Sequence, residues 1–193
     1  MEVFMDFNHV ADMLVCNDFD VYVYDTAAQA VKKILEIIPQ DAVVGWGGSV
    51  SCMESGLIDA VRKNFKVLDR EPLKGEERTH LMRRILSEAD VFLTSFNAVS
   101  EDGHAVNIDG NGNRVAAISF GPEMVIALVG KNKICKTLSD AYERASTIAA
   151  GKNAVRFGKK EEERDSLINI IQVIKRGGHG RIKVFLVNED LGY

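Results

Sequence analysis

Residues 43–51 read Val-Val-Gly-Trp-Gly-Gly-Ser-Val-Ser, and this stretch decides the fold. The apolar run at 42–45 predicts a short buried strand, and apolar residues recur at helical spacing over 51–63. A strand that passes through a glycine-rich turn directly into a helix is the repeating unit of α/β proteins. If the same unit recurs along the chain, the strands form a largely parallel sheet.

The unit does recur on both sides of this stretch. Thr26 is expected to cap the helix that follows the first strand, and Pro39 ends it. We therefore predict an α/β fold, a mainly parallel sheet with helices on both faces. The predicted strands are 20–24, 42–45, 66–68, 90–94 and 124–129, and the predicted helices are 10–16, 26–38, 51–63, 76–88 and 138–149.

Two segments break the alternation and predict β-hairpins. Residues 98–100 and 105–108 flank Glu101-Asp-Gly-His104, and residues 169–174 and 181–187 flank Arg176-Gly-Gly-His-Gly180. We expect one α/β domain over 1–193, with an N-terminal helical segment at 1–18 and the second hairpin as an appendage at 159–193. The exposed strand edges of that hairpin favour a homo-oligomer, whose number of subunits the sequence does not determine.

Composition excludes several classes of protein. The net charge is 24 − 28 = −4, which argues against a nucleic-acid binder. There is no apolar run near the ~20 residues of a membrane span and no secretory leader in 1–8, so we expect a cytoplasmic protein without membrane contact. The cysteines Cys16, Cys52 and Cys135 form no Cys-x-x-Cys pair, so we expect neither a disulfide framework nor a metal site.

The glycine turn is the first candidate site. Backbone N–H groups at a helix start bind anions, and Gly47 and Gly48 would let a phosphate or an acyl oxygen approach, with Ser49 adding a hydroxyl. The spacing fits neither a P-loop nor a dinucleotide fingerprint. The alternative is a tight turn without a ligand, and Cys52, which follows it, is better explained as a small packed residue.

The second candidate is the polar stretch 97–114, which is too rich in short polar side chains for a plain hairpin. Asn107 and Asp109 alternate with apolar residues, so they share one face of a strand. Arg114 could hold a carboxylate or phosphate through two hydrogen bonds, or it could pair with Asp109 or Glu123. A calcium loop is rejected because His104 and Asn113 occupy ligand positions of that motif.

Both candidates follow strands, and ligands of open parallel sheets bind outside the strands' carboxyl ends. We therefore predict that the two segments meet and bind a small anionic metabolite. The predicted ligand-binding residues are Gly47, Gly48, Ser49, Asn97, Asn107, Asp109, Asn113 and Arg114.

The stretch 97–114 resembles the lactate-utilisation (LUD-domain) family, in its short single-domain form. Further matching pieces are Gly47-Gly-Ser-Val, Phe120-Gly-Pro, Val129-Gly-Lys-Asn-Lys-Ile134, Asn153-Ala-Val-Arg and the close at 181–193. The resemblance implies the fold of sugar-phosphate isomerases, coenzyme A transferases and formyltetrahydrofolate cyclo-ligase. It also implies a part in L-lactate to pyruvate oxidation beside iron–sulfur partner proteins.

One departure from the family bears on cofactors. Many short members carry a cluster of cysteines after the Asn-Ala-x-Arg piece, whereas residues 157–180 contain none here. We therefore expect no iron–sulfur cluster on this chain and no other evident cofactor. The protein would act as a subunit that supports an iron–sulfur oxidoreductase, or as its regulator.

The sequence leaves an enzymatic alternative open. Ser100-Glu-Asp-Gly103 is similar to the Ser-Glu-Asn-Gly segment of coenzyme A transferases, whose Glu forms an acyl intermediate. By that likeness Glu101 would be the nucleophile of an acyl- or coenzyme A-transferring enzyme, or of one acting on sugar phosphates, with the turn at Gly47 and Gly48 binding the oxyanion. Otherwise Glu101 lies in an exposed turn.

Overall fold

The computed structural model describes residues 7–193, which form ten strands and eight α-helices. The strands are β1 (Asp20–Tyr24), β2 (Val43–Trp46), β3 (Lys66–Leu68), β4 (Val91–Thr94), β5 (Ala98–Ser100), β6 (Ala105–Asp109), β7 (Met124–Gly130), β8 (Ile134–Cys135), β9 (Ile170–Ile174) and β10 (Ile182–Val187). The helices are α1 (Phe7–Cys16), α2 (Ala27–Ile37), α3 (Val50–Glu54), α4 (Leu57–Asn64), α5 (Gly75–Glu88), α6 (Asn113–Phe120), α7 (Leu138–Arg144) and α8 (Ala150–Arg156). Of the helical segment expected at 1–18, residues 1–6 lie outside the described part.

The main sheet has six strands in the order β1-β10-β7-β4-β2-β3, and all of its strand pairs are parallel. Side chains alternate across it, so that Val125 and Ala127 of β7 face one layer while Ile126 and Leu128 face the other. Helices α1, α5 and α6 pack on the first face, and α2, α3 and α4 on the second. The predicted α/β fold with helices on both faces is confirmed.

A second, four-stranded mixed sheet has the order β8-β5-β6-β9. Its centre is the predicted hairpin of β5 and β6, which pair antiparallel. Small residues of the segment 138–156, namely Ala141, Ala145 and Ala150, pack on Val106 and Ile108 of this sheet. This segment runs from α7 through a π-helical turn at Ala145–Ala149 into α8.

The predicted C-terminal hairpin is wrong. Strand β9 pairs antiparallel with β6, whereas β10 enters the main sheet between β1 and β7. The reason lies in burial: the residues Val184–Val187 of β10 are buried on both faces of a sheet, while Ile171 and Val173 of β9 stay about 45% and 43% exposed. A strand without a polar face belongs in the interior of a parallel sheet, not in an appendage.

Two helices also differ from prediction. The predicted helix at 51–63 is split into α3 and α4 by Gly56, whose φ of 76° lies in the left-handed region. The helix predicted at 138–149 extends through α8 to Arg156. Thr26 caps α2 as expected, in a capping box with Gln29. No helix within 7–193 combines the length and apolarity that a membrane crossing needs.

Candidate functional site

A cavity of about 460 Å³ lies where the carboxyl ends of the parallel strands meet. The segments that follow β2, β3, β4 and β7 contribute Gly48, Arg70, Ser95 and Lys133 to its wall. Further lining residues come from the turn between β6 and α6, from α5, from α8 and from the segment after α8. The predicted convergence of the two polar segments is therefore found, because Gly48 and Arg114 line one cavity.

Six of the eight predicted binding residues line this cavity: Gly48, Ser49, Asn97, Asp109, Asn113 and Arg114. The other two lie directly behind Arg114. A Cβ atom on Gly47 would stand 3.3 Å from Cγ and Cδ of Arg114, and the Asn107 Oδ1 atom accepts a hydrogen bond from Arg114 at 3.1 Å. The glycine turn thus touches the polar stretch through the arginine stem.

The Arg114 guanidinium forms hydrogen bonds within the protein instead of offering its donors to the cavity. Its Nη1 donates to Ser95 O and Asn107 Oδ1, both at 3.1 Å, and its Nη2 donates to Asn97 Oδ1 at 2.8 Å and to Ile108 O. These four bonds use every proton on the two Nη atoms. Burial lowers the pKa of the guanidinium, and Asp109 opposes this shift. The guanidinium therefore joins the end of β4 to the β6 strand and has no free pair of donors for an anion.

Asp109 also has a structural task. Its Oδ1 accepts the backbone N–H groups of Asn111 and Gly112, and its Oδ2 accepts those of Arg114 and Val115, at 2.9 to 3.2 Å. The carboxylate thereby satisfies the N–H groups that the start of α6 leaves without helical partners. The sequence feature that indicates this capping role is an Asp placed just before a Gly-rich helix start.

The glycine turn uses most of its own donors. The Gly47 N–H donates to Leu93 O at 3.3 Å, and the Ser49 N–H donates to Gly47 O at 2.9 Å. The Ser49 hydroxyl accepts the Cys52 N–H at 3.3 Å, as the N-cap of the five-residue helix α3. The expected cradle of main-chain donors is therefore largely occupied by the protein itself.

Side-chain cations provide the charge that the backbone does not. Among the described residues the cavity wall carries six basic side chains and one acidic side chain, Asp109, whose carboxylate is already bonded to the start of α6. The field inside the cavity is therefore positive and favours an anionic occupant. The six are Arg70, Arg78, Arg114, Lys133, Arg156 and Lys159.

Arg70 is the most deeply placed of the arginines that sequence reasoning missed. It is 7% exposed, its Nε donates to Glu71 at 3.3 Å, and its Nη2 lies 2.9 Å from where a Cβ on Gly48 would stand. Desolvation, followed by the neighbouring Arg78, lowers the pKa of this guanidinium. Arg156 approaches the same turn and donates to Gly48 O at 3.3 Å. Glycine at 48 leaves room for both.

Lys133 is the second residue that sequence reasoning missed. It lies in the 3₁₀ turn after β7, is 3% exposed, and donates from Nζ to Ser51 Oγ at 2.7 Å and to Ser95 Oγ at 2.9 Å. Burial, aided by the charge of Arg144, lowers the pKa of the amine from 10.5 to about 7. An amine in this state is a base and a nucleophile at neutral pH.

Cys52, at the same turn, behaves as a packed residue. Its thiol is buried, and the Sγ atom lies 3.1 Å from the carbonyl oxygen of Thr94. Burial raises the pKa of the thiol to about 11. The thiolate form is thus disfavoured, in agreement with the interpretation of Cys52 as a small apolar side chain.

Glu101 lies outside the cavity, on the turn between β5 and β6. Its N–H donates to Cys135 O at 2.8 Å. The same turn packs on the end of α1, where Asn17, the residue after the helix, donates from its side chain to the carbonyl oxygens of Asp102 and Gly103, both at 3.1 Å. The cavity is lined from the opposite ends of these two strands, at Asn97 and Ile108. Glu101 and the glycine turn are therefore not brought together.

The fold and the cavity define an α/β protein with a cationic site at the carboxyl edge of a parallel sheet. The sequence profile of the LUD domain matches residues 7–187, and the chain belongs to this family. The structure is similar to the crystal structure of a DUF162 family protein from Deinococcus radiodurans, with a TM-score of 0.57 over 93% of this chain and 94% of that one. At 16% identity this likeness shows the fold. No curated protein matches the chain.

Proposed function

We propose that this LUD-domain protein binds a small anionic metabolite in the cavity and thereby supports the oxidation of L-lactate to pyruvate. The observation that carries the proposal is the excess of cations around a cavity whose carboxylate is already engaged. Lactate and pyruvate both carry a carboxylate at neutral pH. Membership of the LUD-domain family supports the choice of pathway, and the basic side chains of the cavity support the binding of an anion.

Arg70 is the residue best placed to hold the carboxylate. Two of its nitrogens already have protein partners, Glu71 Oε1 at Nε and Met82 Sδ at Nη1, while Nη2 is directed to the Gly48 turn. Desolvation of this guanidinium disfavours its charge, so an anion beside Nη2 relieves a cost already present in the folded protein. Arg156, whose Nη1 lies 3.9 Å from the same Cβ position of Gly48, supplies a second cation.

The size of the cavity guides the choice of ligands. A volume of about 460 Å³ falls within the range of about 300–1,000 Å³ of known small-molecule sites. A three-carbon acid fills only part of it, which leaves room for ordered water or a larger anion. The ligand series should therefore contain L-lactate, pyruvate and inorganic phosphate.

Titration calorimetry on the full chain tests the proposal. We expect Arg70→Ala to weaken binding of the tightest of the three anions roughly 10- to 100-fold, the value of one charged hydrogen bond. The matched control is Arg84→Ala, which removes the same charge from a surface pair with Glu88. If Arg70→Ala binds as tightly as the wild type, or if none of the anions binds, the proposal is wrong.

The proposal extends to partners and cell compartment. We place the protein in the cytoplasm, beside an iron–sulfur oxidoreductase that carries the electrons, as a subunit without its own cluster or as a regulator. Co-purification under native expression is the test, with iron content as the readout. Recovery of this chain alone, without iron, would count against a stable partner.

A further inference from the structure

Lys133 is the cavity residue that anion binding alone does not explain. It is almost fully buried, yet its Nζ donates hydrogen bonds to two hydroxyls, Ser51 at 2.7 Å and Ser95 at 2.9 Å. Over residues 7–193 no carboxylate forms an ion pair with it. Buried ammonium groups are normally paired with a carboxylate, because the unpaired charge is costly. The surroundings of Lys133 favour the neutral amine instead.

The net effect of the groups around the amine has the same direction as the effect of burial. Arg144 and Arg114 lower the pKa of Lys133 beyond the effect of burial, while Cys52 and Glu54 raise it by less. Arg144 is itself fixed, since its Nε donates to Asn132 O at 2.8 Å. Both arginines are therefore held in place by hydrogen bonds to the protein, and their positive charges favour the neutral form of the amine.

We propose that Lys133 is a carbonyl-reactive amine, which forms a Schiff base with a small carbonyl compound that carries an anionic group. A 2-oxo acid is the first candidate, with its carboxylate held by Arg70 or Arg156 and its carbonyl carbon presented to Nζ. This inference rests on the proposed function, because an anion site in the same cavity is what would position the carbonyl.

The step balances without an added oxidant or reductant. The Nζ lone pair forms the new N–C bond, and the carbonyl π pair moves to oxygen. One proton passes from nitrogen to that oxygen to give a carbinolamine. Loss of the hydroxyl group with a second proton from nitrogen releases one water molecule and leaves the C=N bond. Hydrolysis reverses the reaction and restores the amine.

The two serines orient the amine in this scheme. The Ser51 hydroxyl donates to Leu191 O at 3.1 Å and the Ser95 hydroxyl to Phe96 O at 3.3 Å, while both oxygens accept from Nζ. Their protons are thus directed away from Lys133, which does not activate either serine as a nucleophile. Both N–H bonds of the neutral amine are held by the serine oxygens, so its lone pair is left to attack the carbonyl and the amine is the nucleophile.

One functional consequence concerns selectivity. Pyruvate has a carbonyl and L-lactate has a hydroxyl at the same carbon, so the cavity could bind both as anions but form a covalent adduct with pyruvate alone. The protein would then distinguish the oxidised acid from the reduced acid by chemistry instead of by shape.

Reductive trapping tests the inference. The full chain is incubated at pH 7 with cyanoborohydride and with pyruvate, dihydroxyacetone phosphate or L-lactate, and the modified lysine is located by peptide mass spectrometry. We expect an adduct on Lys133 with at least one of the two carbonyl compounds and none with L-lactate. Pyruvate alone would identify a 2-oxo acid site, and dihydroxyacetone phosphate alone a phosphorylated ketone site. Either supports the inference.

Two variants make the result specific. Lys133→Met keeps the length of the side chain and should abolish the adduct, whereas Lys131→Ala, on the exposed side of the same 3₁₀ turn, should keep it. The trapping rate should rise with pH and flatten above about 7. At pH 7 a lysine with a pKa of about 7 is neutral roughly a thousandfold more often than one at 10.5.

The experiment remains decisive if Lys133→Met does not fold, since the modified residue is located in the wild type. Failure to label Lys133, or labelling no faster than Lys131, overturns the inference. Calorimetry separates the two proposals. If pyruvate binds and Lys133 is not trapped, the anion site stands and the amine chemistry falls. If nothing binds and nothing is trapped, both fall.

Discussion

The buried amine of Lys133 predicts an unusual dependence of stability on pH. The pKa of this group is about 7 in the folded protein, against 10.5 for an unperturbed lysine in the unfolded chain. Between these values the unfolded state holds a proton that the folded state has released, so the free energy of unfolding rises with pH. Below about pH 7 both states are protonated and the full cost of burying the charge applies.

The magnitude follows from the two pKa values. Integration of the linkage relation from pH 7 to pH 9 gives a gain of about 2 kcal/mol in the free energy of unfolding. Near pH 9 a second group begins to oppose the trend, because the pKa of the Cys52 thiol is raised from 9.0 to about 11 in the folded protein. A comparison with a variant that lacks only the lysine amine cancels this contribution, because both proteins contain Cys52.

The assay is urea denaturation of the wild type and of Lys133→Met at several pH values. Trp46 is the single tryptophan, is 1% exposed, and reports unfolding by its fluorescence. We expect the wild type minus variant difference to rise by about 2 kcal/mol over this range, since methionine has no proton to release. Lys131→Met, at an exposed position, should give a flat difference. A flat difference for Lys133→Met as well would refute the reasoning.

Four further substitutions give predictions that simple measurements check. Arg114→Ala should lower the free energy of unfolding in urea by about 3 kcal/mol, because four acceptors lose their donor. Asp109→Asn should cost about 1–2 kcal/mol in the same assay, since an amide has one acceptor oxygen for the start of α6. Gly103→Ala should lower the melting temperature, because φ is 79° and the new Cβ would stand 2.6 Å from Met13 O. Glu101→Gln should leave anion binding by calorimetry unchanged.

Specific outcomes would contradict these predictions. If Arg114→Ala keeps the wild-type stability and loses anion binding, the guanidinium is a ligand-binding group after all. Unchanged stability of Asp109→Asn would mean that the helix start does not depend on the carboxylate. A loss of binding in Glu101→Gln, with the fold intact by circular dichroism, would connect the β5–β6 turn to the cavity.

Local patterns were sufficient for most elements of the fold. Strand β1 occupies the predicted residues 20–24, and Thr26 caps the next helix through the expected side-chain bonds. The pairing of the last two strands was not predictable in this way. Both β9 and β10 are apolar runs beside a glycine-rich turn, and the distinction between them lies in distant partners, Asp109 of β6 for one and Asp20 of β1 for the other. The hairpin pattern considers only strands that are adjacent in sequence, so it cannot identify partners that lie far away in the chain.

The meeting of the two polar segments at one cavity was predicted, but the hydrogen bonds that occupy their residues were not. Two polar segments after strands indicated where the cavity lies, and Gly48 and Arg114 do meet there. The Arg114 guanidinium and the Asp109 carboxylate form hydrogen bonds within the protein, and these bonds depend on the three-dimensional arrangement of the chain. Arg70 and Lys133 were missed because single basic residues are common, although each follows within three positions of the end of a strand. A basic residue just after the end of a predicted strand is the sequence feature that could have indicated both.

The place of β10 in the sheet has a consequence for synthesis on the ribosome. Within residues 7–193 strand β1 pairs with β10 alone, and Asp20 and Lys183 are 163 positions apart. During synthesis the β10 partner of β1 is missing, and one edge of β7 stays unpaired, until residues 182–187 emerge from the exit tunnel. Such high contact order slows closure and leaves apolar faces accessible to aggregation or to holding chaperones. A translational stall before residue 182 should therefore yield an insoluble product.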